Sequence, residues 1–208
     1  MGRHIGPVCR LCRQSGDKLY IKGERCYTPK CAVEKRRRPP GSQRPSRRRP
    51  SDYAVRLREK QKVRHGYGLR EGQFLRYITK AQKQPGVTGQ YLLQLLERRL
   101  DNVMYRLNFS DSRPQGRQLV THGHVTINGK KVDIPSFIVR AGDEVAWKPS
   151  SEEREFVQVL KQAGPKRAVP RWLDLDSTNL KGRVLNVPDP DDLDTSVDTR
   201  LIVEFYSR

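Results

Sequence analysis

Arg99-Leu100-Asp101-Asn102-Val103-Met104-Tyr105-Arg106-Leu107 and, a little further on, Arg117-Gln118-Leu119-Val120-Thr121-His122-Gly123-His124-Val125-Thr126-Ile127-Asn128-Gly129-Lys130-Lys131-Val132 decide the fold. In the first stretch Leu100, Val103, Met104 and Leu107 stand at i, i+3, i+4 and i+7, the spacing of a helix with one apolar face. Asn108 follows where a left-handed cap sits. In the second, Ser110 or Ser112 is placed to cap another helix, Pro114 is tolerated in its first turn, and Gly123 stops it. Val125-Thr126-Ile127 then alternates like a strand, and Asn128-Gly129 is the dipeptide of a type I′ hairpin returning through Lys130-Lys131-Val132. A helix running straight into a hairpin is a small mixed α/β module.

Outward to the C-terminal side, Ala141-Gly142-Asp143 marks a turn and Glu144 to Lys148 alternates again. A helix is expected at Glu152 to Gln162, then strands at Trp172 to Asp176 and Arg183 to Val187. Val197, Leu201, Ile202 and Phe205 form a helical stripe, whereas Leu201-Ile202-Val203 has strand propensity; we read a helix. On the N-terminal side, Ser51-Asp52 opens a helix that Gly66 ends, with Tyr53, Leu57 and Gln61 on one face and Arg56, Arg58, Lys60, Lys62 and Arg64 as a basic stripe on the other. Arg70 to Gln82 carries Phe74, Tyr77, Ile78 and Ala81 at helical spacing and is closed by Pro85-Gly86. Thr88 caps a third helix holding Leu92, Leu93, Leu95 and Leu96.

The 208 residues carry a net charge of +19. Its placement is uneven: residues 1–90 hold 24 Lys and Arg against 6 Asp and Glu, and residues 91–208 hold 18 against 17. Such a field attracts phosphates through counterion release. No apolar run approaches the roughly 20 residues of a membrane helix, and neither a basic helix with a bulky apolar face nor a lipid anchor is present, so no membrane is expected as partner. Arg36-Arg37-Arg38-Pro39-Pro40-Gly41-Ser42-Gln43-Arg44-Pro45-Ser46-Arg47-Arg48-Arg49-Pro50 holds seven arginines and four prolines and cannot pack a core. It reads as an extended arm that orders on nucleic acid, with Arg supplying bidentate phosphate contacts and stacking. A solvated tail or a nuclear-targeting run is the plainer alternative.

Cys9, Cys12, Cys26 and Cys31 form a C-x2-C-x13-C-x4-C array, and they are all the cysteines of the chain. Two close pairs across a short loop allow four thiolates to converge on one tetrahedral ion, zinc ligating at about 2.3 Å. An iron–sulfur cluster uses the same ligands. Two disulfides are the other alternative; the opening MGRHIGPVCR lacks the apolar core of a signal peptide, so a reducing compartment and a structural metal are favoured. Four thiolates leave no open position for catalysis, and His4 is a lone surface residue. Residues 1–35 are too short and polar to fold as a knob without the ion, with a short strand expected at Lys18 to Lys22.

Beyond these local signals, the Arg99–Leu107 and Arg117–Val132 stretches, Ile134-Pro135-Ser136, the cysteine knob, Ser51-Asp52-Tyr53-Ala54-Val55-Arg56-Leu57-Arg58-Glu59-Lys60-Gln61-Lys62 and the terminal Ile202-Val203-Glu204-Phe205-Tyr206-Ser207 closely resemble one family over nearly the whole chain. It is bacterial small-subunit ribosomal protein four, the founding family of the S-four-type RNA-binding domain, in its four-cysteine metal-binding form. The resemblance implies an α+β chain with four parts: a four-cysteine metal-binding knob (1–35), an Arg/Pro-rich basic arm (36–50), an all-helical domain (51–98, with 189–208 packing on it), and an inserted S-four-type α/β RNA-binding module with a small, mainly antiparallel sheet (99–188). It implies a structural constituent of the small ribosomal subunit, located in the cytoplasm. As a primary ribosomal-RNA-binding protein it would clamp a multi-helix junction in the 5′ domain, join assembly of the subunit body early and, beside ribosomal protein five and other small-subunit proteins near the path by which mRNA enters, affect accuracy. No homo-oligomer is implied.

For RNA contact we name Arg36, Arg37, Arg38, Arg44, Arg47, Arg48, Arg49, Arg56, Arg58, Lys60, Lys62, Arg64, Arg113, Gln115, Arg117, Gln118, His122, His124, Asn128, Lys130 and Lys131, cationic and amide side chains suited to gripping folded RNA by shape. For Asn128 turn formation ranks first, and His122 can equally satisfy backbone groups. Two departures from the family stand out. Gly41-Ser42-Gln43-Arg44 replaces the usual Gly-Gln-His-Gly, and Gly116 replaces a usual alanine, expected to loosen its helix turn by up to about 1 kcal/mol. The acidic run Asp189 to Asp198 is a candidate protein contact or a solvated loop. No nucleotide loop, Ser/His/Asp order or paired carboxylates are apparent, so no enzyme is expected. An RNA-modifying enzyme and a DNA-binding zinc regulator are the rival readings, and a messenger-repressor role stays open.

Overall fold

The computed structural model describes residues 4–36, 38–41, 49–193 and 196–207. Helix α1 (Cys9–Ser15) is ended by Gly16 at φ 83, a 3-10 turn covers Gly23–Tyr27, and α2 (Ala32–Lys35) follows. The strand expected at Lys18 to Lys22 is absent, because Tyr20 adopts φ 50 and breaks the extended run between buried Leu19 and Ile21. α3 (Asp52–Gly66) starts where Ser51 accepts a hydrogen bond from the Ala54 N–H at 3.3 Å. α4 (Glu71–Gln82), α5 (Thr88–Glu97), α6 (Leu100–Arg106) and α7 (Arg113–Thr121) follow, and Ser112 rather than Ser110 caps α7.

β1 (Val125–Ile127) and β2 (Lys130–Lys131) are joined by Asn128 and Gly129 at φ 50 and 77, the left-handed pair a type I′ turn demands. β3 (Glu144–Trp147) leads to α8 (Pro149–Glu152) and α9 (Glu155–Ala163) in place of the one helix expected. The break has a local cause. Buried Ser151 is tied to His124 Nδ1 at 3.0 Å, Gln158 caps the Glu152 carbonyl at 2.8 Å, and Arg154 is extended. β4 (Leu173–Asp176) and β5 (Lys181–Val184) form a hairpin whose register is set by Asp176, which accepts from the Thr178 and Asn179 N–H groups at 2.9 and 3.1 Å. That turn starts β5 two residues before the expected Arg183. After a 3-10 turn at Pro190–Asp192, α10 (Thr199–Tyr206) is helical, and Asp198 accepts from the Arg200 N–H.

The five strands make one antiparallel sheet in the order β2-β1-β3-β5-β4, with Val125 opposite Trp147 and Leu173 opposite Val184. The chain divides into two units, Met1–Leu92 with Asp194–Arg208, and Leu93–Leu193. In the second, the apolar face of α6 (Leu100, Val103, Met104, Leu107) packs with Val120 of α7 and with Val125, Val145, Trp147 and Val184 of the sheet. In the first, α10 packs on α3, and Phe74, Ile78 and Ile202 are fully buried.

Candidate nucleic-acid interface

The polar residues at the start of α6 are buried. Arg99, 0% exposed, donates through Nε and Nη2 to the two carboxylate oxygens of Asp101 at 3.0 and 2.6 Å, and Arg117 of α7 donates to the same carboxylate at 3.1 Å. Beside this pair, Glu97 accepts from Arg106 at 2.8 and 2.7 Å and from Asn102 Nδ2 at 2.9 Å, while Asn102 Oδ1 accepts from Arg113 Nε at 2.7 Å. Arg113 and Arg167 also lie over the Tyr105 ring, 4.8 and 4.1 Å from its centre. Two of the predicted RNA contacts, Arg113 and Arg117, are thus half-buried, Arg117 held by the Asp101 carboxylate and Arg113 by the Asn102 amide. The bidentate, charge-assisted Arg99–Asp101 and Arg106–Glu97 contacts fix orientation as well as energy.

α7 can sit this close to α6 because Gly116 faces it: a Cβ there would stand 2.8 Å from the Asp101 carbonyl oxygen, 2.9 Å from Ser110 Oγ and 3.2 Å from Met104 Cβ. Packing thus acts against the looser turn expected of Gly116, since this position is a close approach of two helices. At the far end of α7, Gly123 (φ 72) lies against the aliphatic stem of Lys131, which leaves that exposed lysine beside exposed His122. Gln115, Gln118 and Lys130 are also exposed; the Gln115 side chain accepts from the Asp111 N–H at 2.8 Å. His124 is half-buried between the His122 and Phe156 rings, and burial, then the Arg154, His122 and Lys148 charges, hold its pKa below the usual range. Asn128 serves the turn, donating to Asp143 and accepting from the Glu144 N–H, both at 2.9 Å.

The basic stripe read along α3 is corrected by the structure. Lys60 and Lys62 are buried: Lys60 contacts Glu71 at 2.6 Å and lies 4.5 Å from the Phe205 ring centre, and Lys62 contacts Asp17 at 2.9 Å and the Ser196 carbonyl at 2.8 Å. Arg64 reaches Gln61, His65 and Glu71, and Arg56 pairs with Glu204 at 2.8 Å. Arg56, Lys60 and Arg64 fasten α10 and α4 to α3, Lys62 holds the segments after α1 and before α10, and Arg58 is exposed. In the arm, Arg36, Arg38 and Arg49 are exposed, and the Arg38 carbonyl accepts from Arg13 Nε at 3.0 Å. Arg37, Arg44, Arg47 and Arg48 lie outside the described residues.

Cys9, Cys12, Cys26 and Cys31 are free thiols that line one small cavity with Val8, Ile21 and Val33. The Lys22 N–H points at Cys26 Sγ at 3.4 Å. Burial pushes the Cys12 and Cys26 thiols up, and Cys12 feels the charges of the other three. Among the described residues, no group of three or more His, Cys, Asp or Glu side chains is placed to hold a metal ion. No helix among the described residues is long and apolar enough to cross a membrane.

The sequence reading missed Arg167. It donates to the carbonyls of Tyr105, Ser110 and Asp111 at 2.9, 2.6 and 3.2 Å, closing the loop between α6 and α7. Its partners are 56 to 62 residues away, so no local pattern marks it.

Residues 3–97 match the ribosomal protein S4/S9 N-terminal domain and residues 98–145 the S4 domain. The chain is 56% identical to small ribosomal subunit protein uS4 of Thermus thermophilus, 54% identical to uS4A of Symbiobacterium thermophilum and 50% identical to uS4 of Pelotomaculum thermopropionicum, in each case over 100% of both chains.

Proposed function

The chain belongs to the uS4 family of small ribosomal subunit proteins, and from that membership we infer that it is a structural, non-enzymatic component of the small subunit that binds its RNA in the cytoplasmic ribosome. The observation that carries the RNA-binding surface is the α7 ledge: Arg113 and Arg117 anchored by buried carboxylate and amide partners, with His122 at the end of α7 and, past Gly123, Lys130 and Lys131 on the hairpin. A ledge of this kind presents cations at fixed spacing, which suits recognition of folded RNA by shape and 2′-hydroxyl contacts. The exposed arginines at 36, 38, 49 and 58 add a sequence-independent phosphate attraction.

Within that reading, the chain clamps a multi-helix junction of the 5′ domain, joins assembly of the subunit body early, and lies beside ribosomal protein five near the path by which mRNA enters, with an effect on accuracy. Four free thiols on one cavity, with an N–H aimed at one sulfur, fit a structural zinc site of Cys9, Cys12, Cys26 and Cys31, and an iron–sulfur cluster is the alternative occupant. The ion would fasten the two ends of a knob whose own apolar cluster is small: Cys12, Leu19 and Ile21, with Val8, Leu11 and Val33 against it.

Binding to isolated small-subunit ribosomal RNA across a salt series tests the main reading; affinity no better than for random RNA refutes it. Elemental analysis with an absorption spectrum of anaerobically purified protein tests the metal, and protein carrying neither zinc nor iron refutes that part alone.

A further inference from the structure

Within the four-cysteine segment, two tyrosines lie against each other on the surface. Tyr20 and Tyr27 have ring centroids 5.1 Å apart and planes inclined by 31°, yet Tyr20 is 36% and Tyr27 53% exposed. Both are rigidly sited. Tyr20 stands between buried Leu19 and Ile21, and Tyr27 directly follows buried Cys26 at the end of the 3-10 turn. Tyr20 also holds φ 50, a conformation that bulky L-residues rarely adopt and that Gly or Asn would fill with less strain. A large aromatic kept in such a position, with its ring outward, points to use of the ring. The same segment exposes Lys22, Arg25 and Lys30 beside Glu24, while Asp17 is paired with Lys62 and the Lys18 ammonium with Glu34.

We propose that the Tyr20–Tyr27 pair is a stacking platform for an unpaired nucleobase of the subunit RNA, with Lys22, Arg25 and Lys30 attracting the adjoining phosphates. This rests on the RNA-binding reading above and adds to it a site remote in sequence from α7 and the hairpin. An aromatic pair flanked by cations is the chemistry of single-stranded nucleic-acid binding, where every base offers a π-face to a ring and the cations follow the backbone. Duplex RNA does not expose that face, so the ligand is a bulged, looped or terminal nucleotide.

The test uses the full chain, metal-replete, with small-subunit ribosomal RNA. Tyr27→Leu and Tyr20→Leu each weaken binding by about 5- to 150-fold, the range that loss of one stacked base gives, while Tyr27→Phe and Tyr20→Phe bind as the unchanged protein does. Circular dichroism and metal content of the leucine variants guard against simple unfolding, and ultraviolet crosslinking of the unchanged complex gives a second readout that needs no variant. There a nucleotide adduct on Tyr20 or Tyr27 is expected. Folded leucine variants that bind the RNA with unchanged affinity, or adducts confined to other parts of the chain, overturn the proposal. So does normal RNA binding with loss of a neighbouring ribosomal protein, which would make the platform a protein contact. Failure of the unchanged chain to prefer its RNA overturns the underlying reading instead.

Discussion

Asp101→Asn isolates the support beneath the α7 ledge. Asp101 shares its carboxylate between Arg99, 0% exposed, and Arg117, with N···O distances of 2.6 to 3.1 Å. The amide keeps the shape but removes the charge and turns an NH2 group toward a guanidinium. A guanidinium cannot escape burial by deprotonating. A buried charge stripped of its carboxylate costs about 3 to 5 kcal/mol, a large part of the roughly 5 to 15 kcal/mol that holds a domain folded. At about 3 kcal/mol, and a urea slope of about 2 kcal/mol per M, the unfolding midpoint falls by about 1.5 M. Replacing the pair by apolar groups, Arg99→Met with Asp101→Leu, restores much of that loss, because desolvation then has no charge to penalise. Junction RNA binding falls in Asp101→Asn as well, through the loosened Arg117. A midpoint within about 0.5 M of the unchanged protein, or a double variant no better than the single one, refutes the reasoning.

Gly116→Ala sets two effects against each other: alanine gains about 1 kcal/mol of helix propensity, and overpacking costs about 1 to 3 kcal/mol, so with a backbone oxygen 2.8 Å from the new Cβ we expect a net loss near 1 kcal/mol in urea unfolding. His65 is kept neutral by burial first and by Arg64 second, whose Nη2 contacts its Nε2 at 2.6 Å, and its pKa falls to about 4. The unfolded chain takes up that proton near pH 6.5, so stability is level above that value and declines by about 3 kcal/mol as pH falls toward 4; urea melts at pH 7 and 4.5 should show a smaller decline in His65→Asn. Lys62→Met breaks the contacts to Asp17 and Ser196, lowering stability by about 1 kcal/mol while leaving the salt dependence of RNA binding unchanged, whereas Arg58→Gln, at an exposed position, lowers the slope by about 1 without a stability loss.

The features legible in the sequence are those whose physics is local. The apolar face of Leu100, Val103, Met104 and Leu107 needs only helical spacing, the Ser51 and Ser112 caps need only the next three residues, and Asn128-Gly129 needs only its own two left-handed dihedrals. Where a side chain's partner lies far along the chain, the reading fails in a consistent direction. Lys60 and Lys62 have the composition of a solvated stripe, but Lys62 meets Ser196, 134 residues on, and Lys60 meets the aromatic rings of α10. Arg99 and Asp101 have the composition of a polar helix start and are buried beneath α7. The split between α8 and α9 likewise depends on His124 reaching Ser151. Charge counting therefore overstates the cations available to RNA: part of the positive charge on residues 51–64 is spent fastening α10 and α4 to α3. Of the stripe read along α3, Arg58 is the residue that stays exposed. The cations that point inward still matter to recognition, because it is Arg99, through Asp101, that decides where Arg117 can stand.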